Sequence, residues 1–148
     1  MMTYTRFLFF LCAVVFTGLA HASEFQQQKD FENYSIRYTV FNSTFVPADV
    51  ARAYKIKRSA YESLLNVSIY RRGESGALPA KLSGTVKNLI QQQKPLNFTE
   101  IKEKNSTYYI APISISGEEV VHISLTATPE GESEALTFEF AQRLYSDK

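Results

Sequence analysis

Residues 120–128 read Val-Val-His-Ile-Ser-Leu-Thr-Ala-Thr, and from the second valine onward apolar and polar side chains alternate. Successive side chains of a β-strand point to opposite faces of the sheet, so the apolar set from Val121 to Ala127 falls on one face. The opposite face is polar and carries His122. The stretch therefore predicts a strand of an antiparallel sheet, with one buried side and one solvent-facing side.

The same period of two recurs on both sides of this stretch. The further ranges with strand character are 34–40, 65–69, 82–86, 98–103, 107–113 and 136–140. In the weakest of them Gly84 indicates either a bulge or a close contact with another backbone. Glutamines followed by Pro95 predict a loop over 91–95.

One short helical turn is predicted near 47–54. Pro47 suits the first position of a helix, and Phe45 is placed to contact Val50 across the entry turn. Short strands separated by glycine, proline and asparagine surround this turn on both sides. The pattern predicts an all-β fold, an immunoglobulin-like antiparallel β-sandwich of seven or eight strands, with a small barrel as the alternative.

The N-terminus has the form of a cleavable signal peptide. Arg6 precedes an apolar run over 7–19 that is too short to span a bilayer, and small residues follow it. We therefore expect cleavage between Ala22 and Ser23, a periplasmic location and a single domain over 23–148. A retained N-terminal anchor helix is the alternative.

Composition disfavours catalysis and cofactor binding. Cys12 is the one cysteine and would be lost with the leader, which would also leave His122 as the one histidine. A zinc site needs several such ligands, and no nucleophile motif accompanies the histidine. We therefore expect no enzyme activity, no metal and no cofactor, and an ordinary surface role for His122. A hydrolase with an unrecognised site is the less favoured alternative.

Overall charge gives no reason to expect a nucleic-acid partner. The chain carries 16 basic and 15 acidic residues, and removal of Arg6 with the leader would make these numbers equal. Four asparagines open N-x-[ST] triplets, but one of them, Asn66, lies inside the strand predicted over 65–69. We interpret the triplets as coincidental and not as glycan acceptors.

The stretch 41–59, called segment 41–59 below, is the best candidate for a binding surface. It is a long break in the strand pattern that mixes aromatic and basic side chains, and loops on a rigid sheet often carry recognition. The candidate contact residues are Asn42, Phe45, Arg52, Tyr54, Lys57 and Arg58. Arginine suits a carboxylate or phosphate, and tyrosine an apolar body with a polar end. The alternative is that Phe45, Val50 and Ile56 cap the open end of the sandwich.

Segment 41–59 also carries a family resemblance. The runs 41–45, 50–54, 58–59 and 64–68 resemble a family of small proteobacterial periplasmic proteins of uncharacterised function. The resemblance extends along essentially the whole exported chain, and it implies a signal peptide followed by a single β-sandwich domain. It brings no catalytic or ligand-binding residues to this sequence.

These features favour a non-enzymatic periplasmic interaction or accessory module. Its partner would be a periplasmic or membrane-associated protein, held by segment 41–59 or by a sheet edge. The alternative is small-ligand or glycan binding, for which Tyr54 or the pair Tyr108 and Tyr109 could form an aromatic platform. A pilus-like subunit is disfavoured because no long spare strand precedes Phe31.

Overall fold

A computed structural model describes residues 26–147, which form two antiparallel sheets joined by short loops. The strands are β1 (Gln27–Asp30), β2 (Tyr34–Asn42), β3 (Glu62–Arg71), β4 (Ala80–Asn88), β5 (Gln93–Pro95), β6 (Thr99–Glu103), β7 (Ser106–Ser114), β8 (Glu118–Pro129) and β9 (Leu136–Tyr145). A 3-10 turn (Ser43–Phe45) and helix α1 (Ala48–Ala53) lie between β2 and β3. The helical turn predicted near 47–54 is confirmed.

The strand order confirms the immunoglobulin-like sandwich. One sheet has the order β1-β2-β3-β7-β6 and the other β5-β4-β8-β9, so β2 to β9 follow the immunoglobulin arrangement and β1 is added outside β2. The predicted number of strands, seven or eight, was too low for the part that is described. Strands β1 and β5 were missed because they are short and fully exposed, so neither shows an apolar alternation, and β5 replaces part of the loop predicted over 91–95.

The core lies between the two sheets and is built from their inward-facing alternate residues. Leu65, Val67 and Ile69 of β3 are fully buried. The apolar set of β8 predicted from 120–128 is buried opposite them, and His122 is exposed, as the alternation requires. At the edge where β2 meets β9, Tyr38 packs against Phe138 and Phe140, with ring centroids 5.2 and 4.3 Å apart.

Gly84 lies on β4 directly against the backbone of β8. The register runs through it without a bulge, with Gly84 opposite Leu125. A Cβ at this position would lie 2.5 Å from the Ser124 carbonyl oxygen and 2.9 Å from a methyl of Leu125. The sequence allowed either a bulge or a close backbone contact at Gly84, and the structure shows the close backbone contact.

The predicted leader over 1–22 and its cleavage point between Ala22 and Ser23 lie outside the described residues. The bounds of the single domain, 23–148, and the periplasmic location stay predictions. Helix α1 has six residues, and no helix within 26–147 combines the length and the apolar character needed to cross a membrane.

Replacing Gly84 by alanine is expected to lower the free energy of unfolding by about 2–3 kcal/mol, because the added methyl group meets backbone that cannot move aside. Chemical denaturation of Gly84→Ala beside the unaltered protein measures this loss. The neighbouring Ser83→Ala, at an exposed position, should change stability by no more than about 0.5 kcal/mol. Equal stabilities for the two variants would contradict the close approach.

Alkaline pH is expected to destabilise the protein. Burial raises the pKa of Tyr38 and of Tyr109 above the ordinary value of 10.0, and the hydrogen bond from Tyr34 to Glu132, together with burial, raises the pKa of Tyr34. The folded state then binds these protons more tightly than the unfolded chain, so this stability is complete below pH 10.0 and is lost above it.

Denaturation curves recorded below and above pH 10.0 test this expectation. Tyr38→Phe should make the decline shallower because it removes one of the buried hydroxyls. Tyr145→Phe, at an exposed ring, serves as the matched control. A free energy of unfolding that stays constant above pH 10.0 would show that the buried tyrosines do not titrate in this way.

Candidate binding site

Segment 41–59 lies across the outer face of the five-stranded sheet. Leu64 of β3 points outward because its neighbour Leu65 points into the core. Val46 and Ala51 of the segment are buried against Leu64, and Phe41, Ile56 and Ile110 pack around them. The apolar side of the segment therefore covers part of a sheet face. The alternative interpretation from the sequence had placed it over the open end of the sandwich instead.

Hydrogen bonds fasten both ends of the segment. The buried Ser43 hydroxyl donates to the carbonyl of Ser59 at 3.0 Å and accepts from the Ser59 N–H at 2.8 Å. The Arg58 guanidinium donates to the carbonyl of Thr44 at 3.0 Å. The Thr44 hydroxyl in turn donates to the Asp147 carboxylate at 2.5 Å. The segment is thus held as a closed loop against the sheet.

Helix α1 ends in a Schellman motif that directs Ile56 onto the sheet. The N–H of Ile56 donates to the carbonyl of Ala51 at 2.8 Å, and the N–H of Lys55 to that of Arg52 at 3.4 Å. Lys55 adopts the left-handed backbone conformation, with φ of 56°, where glycine is the favoured residue. The motif turns the chain so that Ile56 packs beside Ala51.

The segment leaves an apolar groove beside strands β6 and β7. This groove has a volume of about 290 Å³. Its lining is mostly apolar and aromatic: Phe41, Val46, Val50, Tyr54, Ile56, Asn66, Ile101, Glu103, Tyr108 and Ile110. A hollow of about 210 Å³ continues it and shares Tyr54, Ile56, Ile101 and Ile110. We call the two together the groove.

The two ends of the groove differ in polarity. Lys55, Lys57 and Glu62 line the end near the start of β3. Glu103 and Asn66 line the opposite end. The Asn66 Oδ1 is buried without a hydrogen-bond donor, and it is the one such side-chain atom found in residues 26–147. An acceptor of this kind is costly to leave unpaired.

The six predicted contact residues lie in four different places. Tyr54 and Lys57 line the groove, whereas Arg52 and Arg58 border a separate hollow that also includes Lys55. Phe45 is 71% exposed and lines neither the groove nor that hollow. The remaining residue, Asn42, accepts a hydrogen bond from the Ser63 hydroxyl at 3.3 Å. A binding role for all six residues stays a prediction.

The proposed aromatic platform of Tyr108 and Tyr109 is wrong. Adjacent strand residues point to opposite faces. Tyr109 is therefore buried in the core, with its hydroxyl accepting from the Ala80 N–H at 2.8 Å, while Tyr108 lines the groove on the outer face.

Sequence reasoning missed the floor of the groove, which consists of Ile101, Tyr108 and Ile110. A signal was present, because 107–113 is apolar at nearly every position instead of at every second one. Such a run is typical of a strand that is covered on both faces.

The described residues offer little for metal or acid–base chemistry. His122 is exposed on the outer face of the four-stranded sheet, paired in register with Lys87 and Ala141. Within 26–147 no group of three or more histidine, cysteine, aspartate or glutamate side chains is placed to hold a metal ion.

Comparison with known proteins points to one family. The family model described as a domain of unknown function (DUF4426) matches residues 28–147. The crystal structure of a DUF4426 family protein from Pseudomonas aeruginosa is similar, with a TM-score of 0.75 at 29% identity, covering 83% of this chain and 97% of that one. No curated protein matched the sequence.

A more distant similarity extends to FetP of uropathogenic Escherichia coli. One FetP structure has a TM-score of 0.56 at 11% identity and covers 83% of this chain and 95% of that one. A copper-bound FetP variant gives 0.56 at 12% identity, with 83% and 92% covered. Identity at this level shows a shared fold alone.

Replacing Asn66 by leucine is expected to raise the free energy of unfolding by about 1 kcal/mol, because it removes a buried acceptor that has no donor. Denaturant titration measures the gain. Asn42→Leu is the matched control, since it removes an acceptor that is paired and should therefore lower stability. A loss of stability in Asn66→Leu would mean that Oδ1 is hydrogen-bonded in the protein.

Proposed function

Since the chain belongs to the DUF4426 family, described as a domain of unknown function, we propose a function from its own geometry: a non-enzymatic periplasmic accessory module that binds a small apolar ligand in the groove. The main support for this proposal is that segment 41–59 covers the outer face of the five-stranded sheet only in part. Segment 41–59 buries Leu64 but leaves Tyr108 and Ile110 only half-buried beside an open volume.

The dimensions and lining of the groove support a small ligand. A volume of about 290 Å³ is near the lower end for small-molecule sites, which are mostly apolar with a few placed polar groups. Here the polar groups are the Asn66 side chain at one end and the lysine side chains at the opposite end. Tyr54, on the lip of the groove, is 36% exposed and is free to pack over a bound molecule.

A protein partner is the second candidate, favoured by apolar side chains exposed at one end of the sandwich. They are Phe45, Tyr61, Leu89, Ile90 and Tyr145. All five lie in the loops or strand ends where β2, β4 and β9 finish and β3 begins. Apolar groups gathered on one surface often mark a protein interface.

Filling the groove is expected to abolish ligand binding. Val50 lies on its lip and is 38% exposed, so Val50→Trp should place an indole in the open volume without disturbing the core. Native mass spectrometry of the protein, expressed with its leader and purified from a periplasmic extract, would detect a co-purifying small molecule. That molecule should be lost from Val50→Trp.

Ala53→Trp is the matched control, because Ala53 is exposed on the same helix and does not line the groove. This variant should keep the ligand. Retention of the co-purifying molecule by both variants would show that the groove is not its binding site. A protein captured by both variants but lost when the exposed Phe45 and Tyr61 are replaced by serine would assign the function to the second candidate.

A further inference from the structure

Unpaired cations are concentrated at one end of the groove. Lys55 and Lys57 both line that end and are both exposed. Among the ion pairs found in residues 26–147, none involves either lysine. Arg52 and Arg58 border the adjoining hollow, which Lys55 also lines. Glu62 is the one acid among the residues that line this end of the groove, so basic side chains outnumber acidic ones there.

The backbone fixes the point from which one of these basic side chains extends. Lys55 occupies the left-handed position of the Schellman motif, with φ of 56°, and Ile56 next to it is anchored on the sheet. The Lys55 side chain therefore extends from a constrained turn and lines the end of the groove. Lys57 lies just beyond the anchored residue.

The opposite end has the reverse character. Glu103 and Asn66 line it, so the Glu103 carboxylate would repel a second acidic group there. Between the two ends the floor is formed by Ile101 and Ile110. Along β7 the lining extends from Pro112 to Tyr108, which corresponds to roughly 13 Å at about 3.3 Å per residue.

We propose that the groove binds a single-chain carboxylate amphiphile, with its acidic head group against Lys55 and Lys57 and its hydrocarbon chain along Ile110 toward Asn66. The inference rests on the proposed function and names the ligand class of the same site. A single chain is favoured over a lipid with two chains because both volumes, about 290 and 210 Å³, are small for a ligand site.

Three probes of equal chain length and different charge test the proposal: dodecanoate, dodecanol and dodecylammonium. Isothermal titration calorimetry of the purified exported protein, below the micelle-forming concentration of each probe, gives the affinities. Dodecanoate should bind about fivefold more tightly than dodecanol, and dodecylammonium more weakly than either, as expected for partly exposed charge contacts. Added salt should weaken the binding of dodecanoate only.

Charge-neutral variants locate the head group. The double variant Lys55→Gln with Lys57→Gln should remove the preference for dodecanoate over dodecanol and leave the affinity for dodecanol unchanged. Lys81→Gln with Lys87→Gln, on β4 of the other sheet, is the matched control and should keep the preference. Circular dichroism confirms that each variant is folded.

The outcomes separate this inference from the proposed function. Equal affinities for the three probes, with binding lost in Val50→Trp, would overturn the carboxylate and retain an apolar ligand site. Tighter binding of dodecylammonium would also overturn the carboxylate. Failure of every probe to bind, with no molecule co-purifying with the protein, would reject the carboxylate and the groove's proposed function together.

Discussion

The central strand β3 is covered on both of its faces, and much of the architecture depends on this constraint. Its inward residues Leu65, Val67 and Ile69 form the middle of the sandwich core, while Leu64 points outward and is just as deeply buried. Burial of a leucine side chain stabilises a fold by about 1.5–3 kcal/mol. If the outer face of β3 were exposed to solvent, Leu64 would not contribute this stabilisation. Segment 41–59 provides this cover. It follows β2 in the chain, packs on the outer face of the sheet and leads into β3.

The groove follows from how far that cover reaches. The segment packs over β2 and β3 but ends its helix at Ala53 and turns back at Lys55, so Tyr108 and Ile110 of β7 are only partly shielded. The groove thus lies between an anchored loop and a rigid sheet, and it combines a preformed shape with an edge that is open to solvent.

The residues of the core could be predicted from the sequence, whereas the cover on the outer face of the five-stranded sheet could not. Alternation in 120–128 predicted which side of β8 is buried, because only one side of that strand meets apolar neighbours. In 107–113 the alternation disappears, since Tyr108 and Ile110 are covered by residues more than forty positions away in the chain. Hydrophobic periodicity shows which face of a single strand is buried when the other face is exposed. It could therefore not predict that Tyr108 and Tyr109 lie on different faces of the sheet, or that Tyr54 and Ile101 line the same groove. The short strands β1 and β5 depend on backbone hydrogen bonds and leave no apolar pattern.

The hydrogen bond between Thr44 and Asp147 joins residues 103 positions apart, and a second bond runs from the Asp147 N–H to the carbonyl of Ala60. Both anchor the loop that walls the groove. During translation the N-terminal residues emerge first, so these two bonds cannot form until β9 and Asp147 have been synthesised. The bonds within residues 43–59 come earlier in the chain than Asp147, so the C-terminal fastening is the last of these contacts to become available during synthesis.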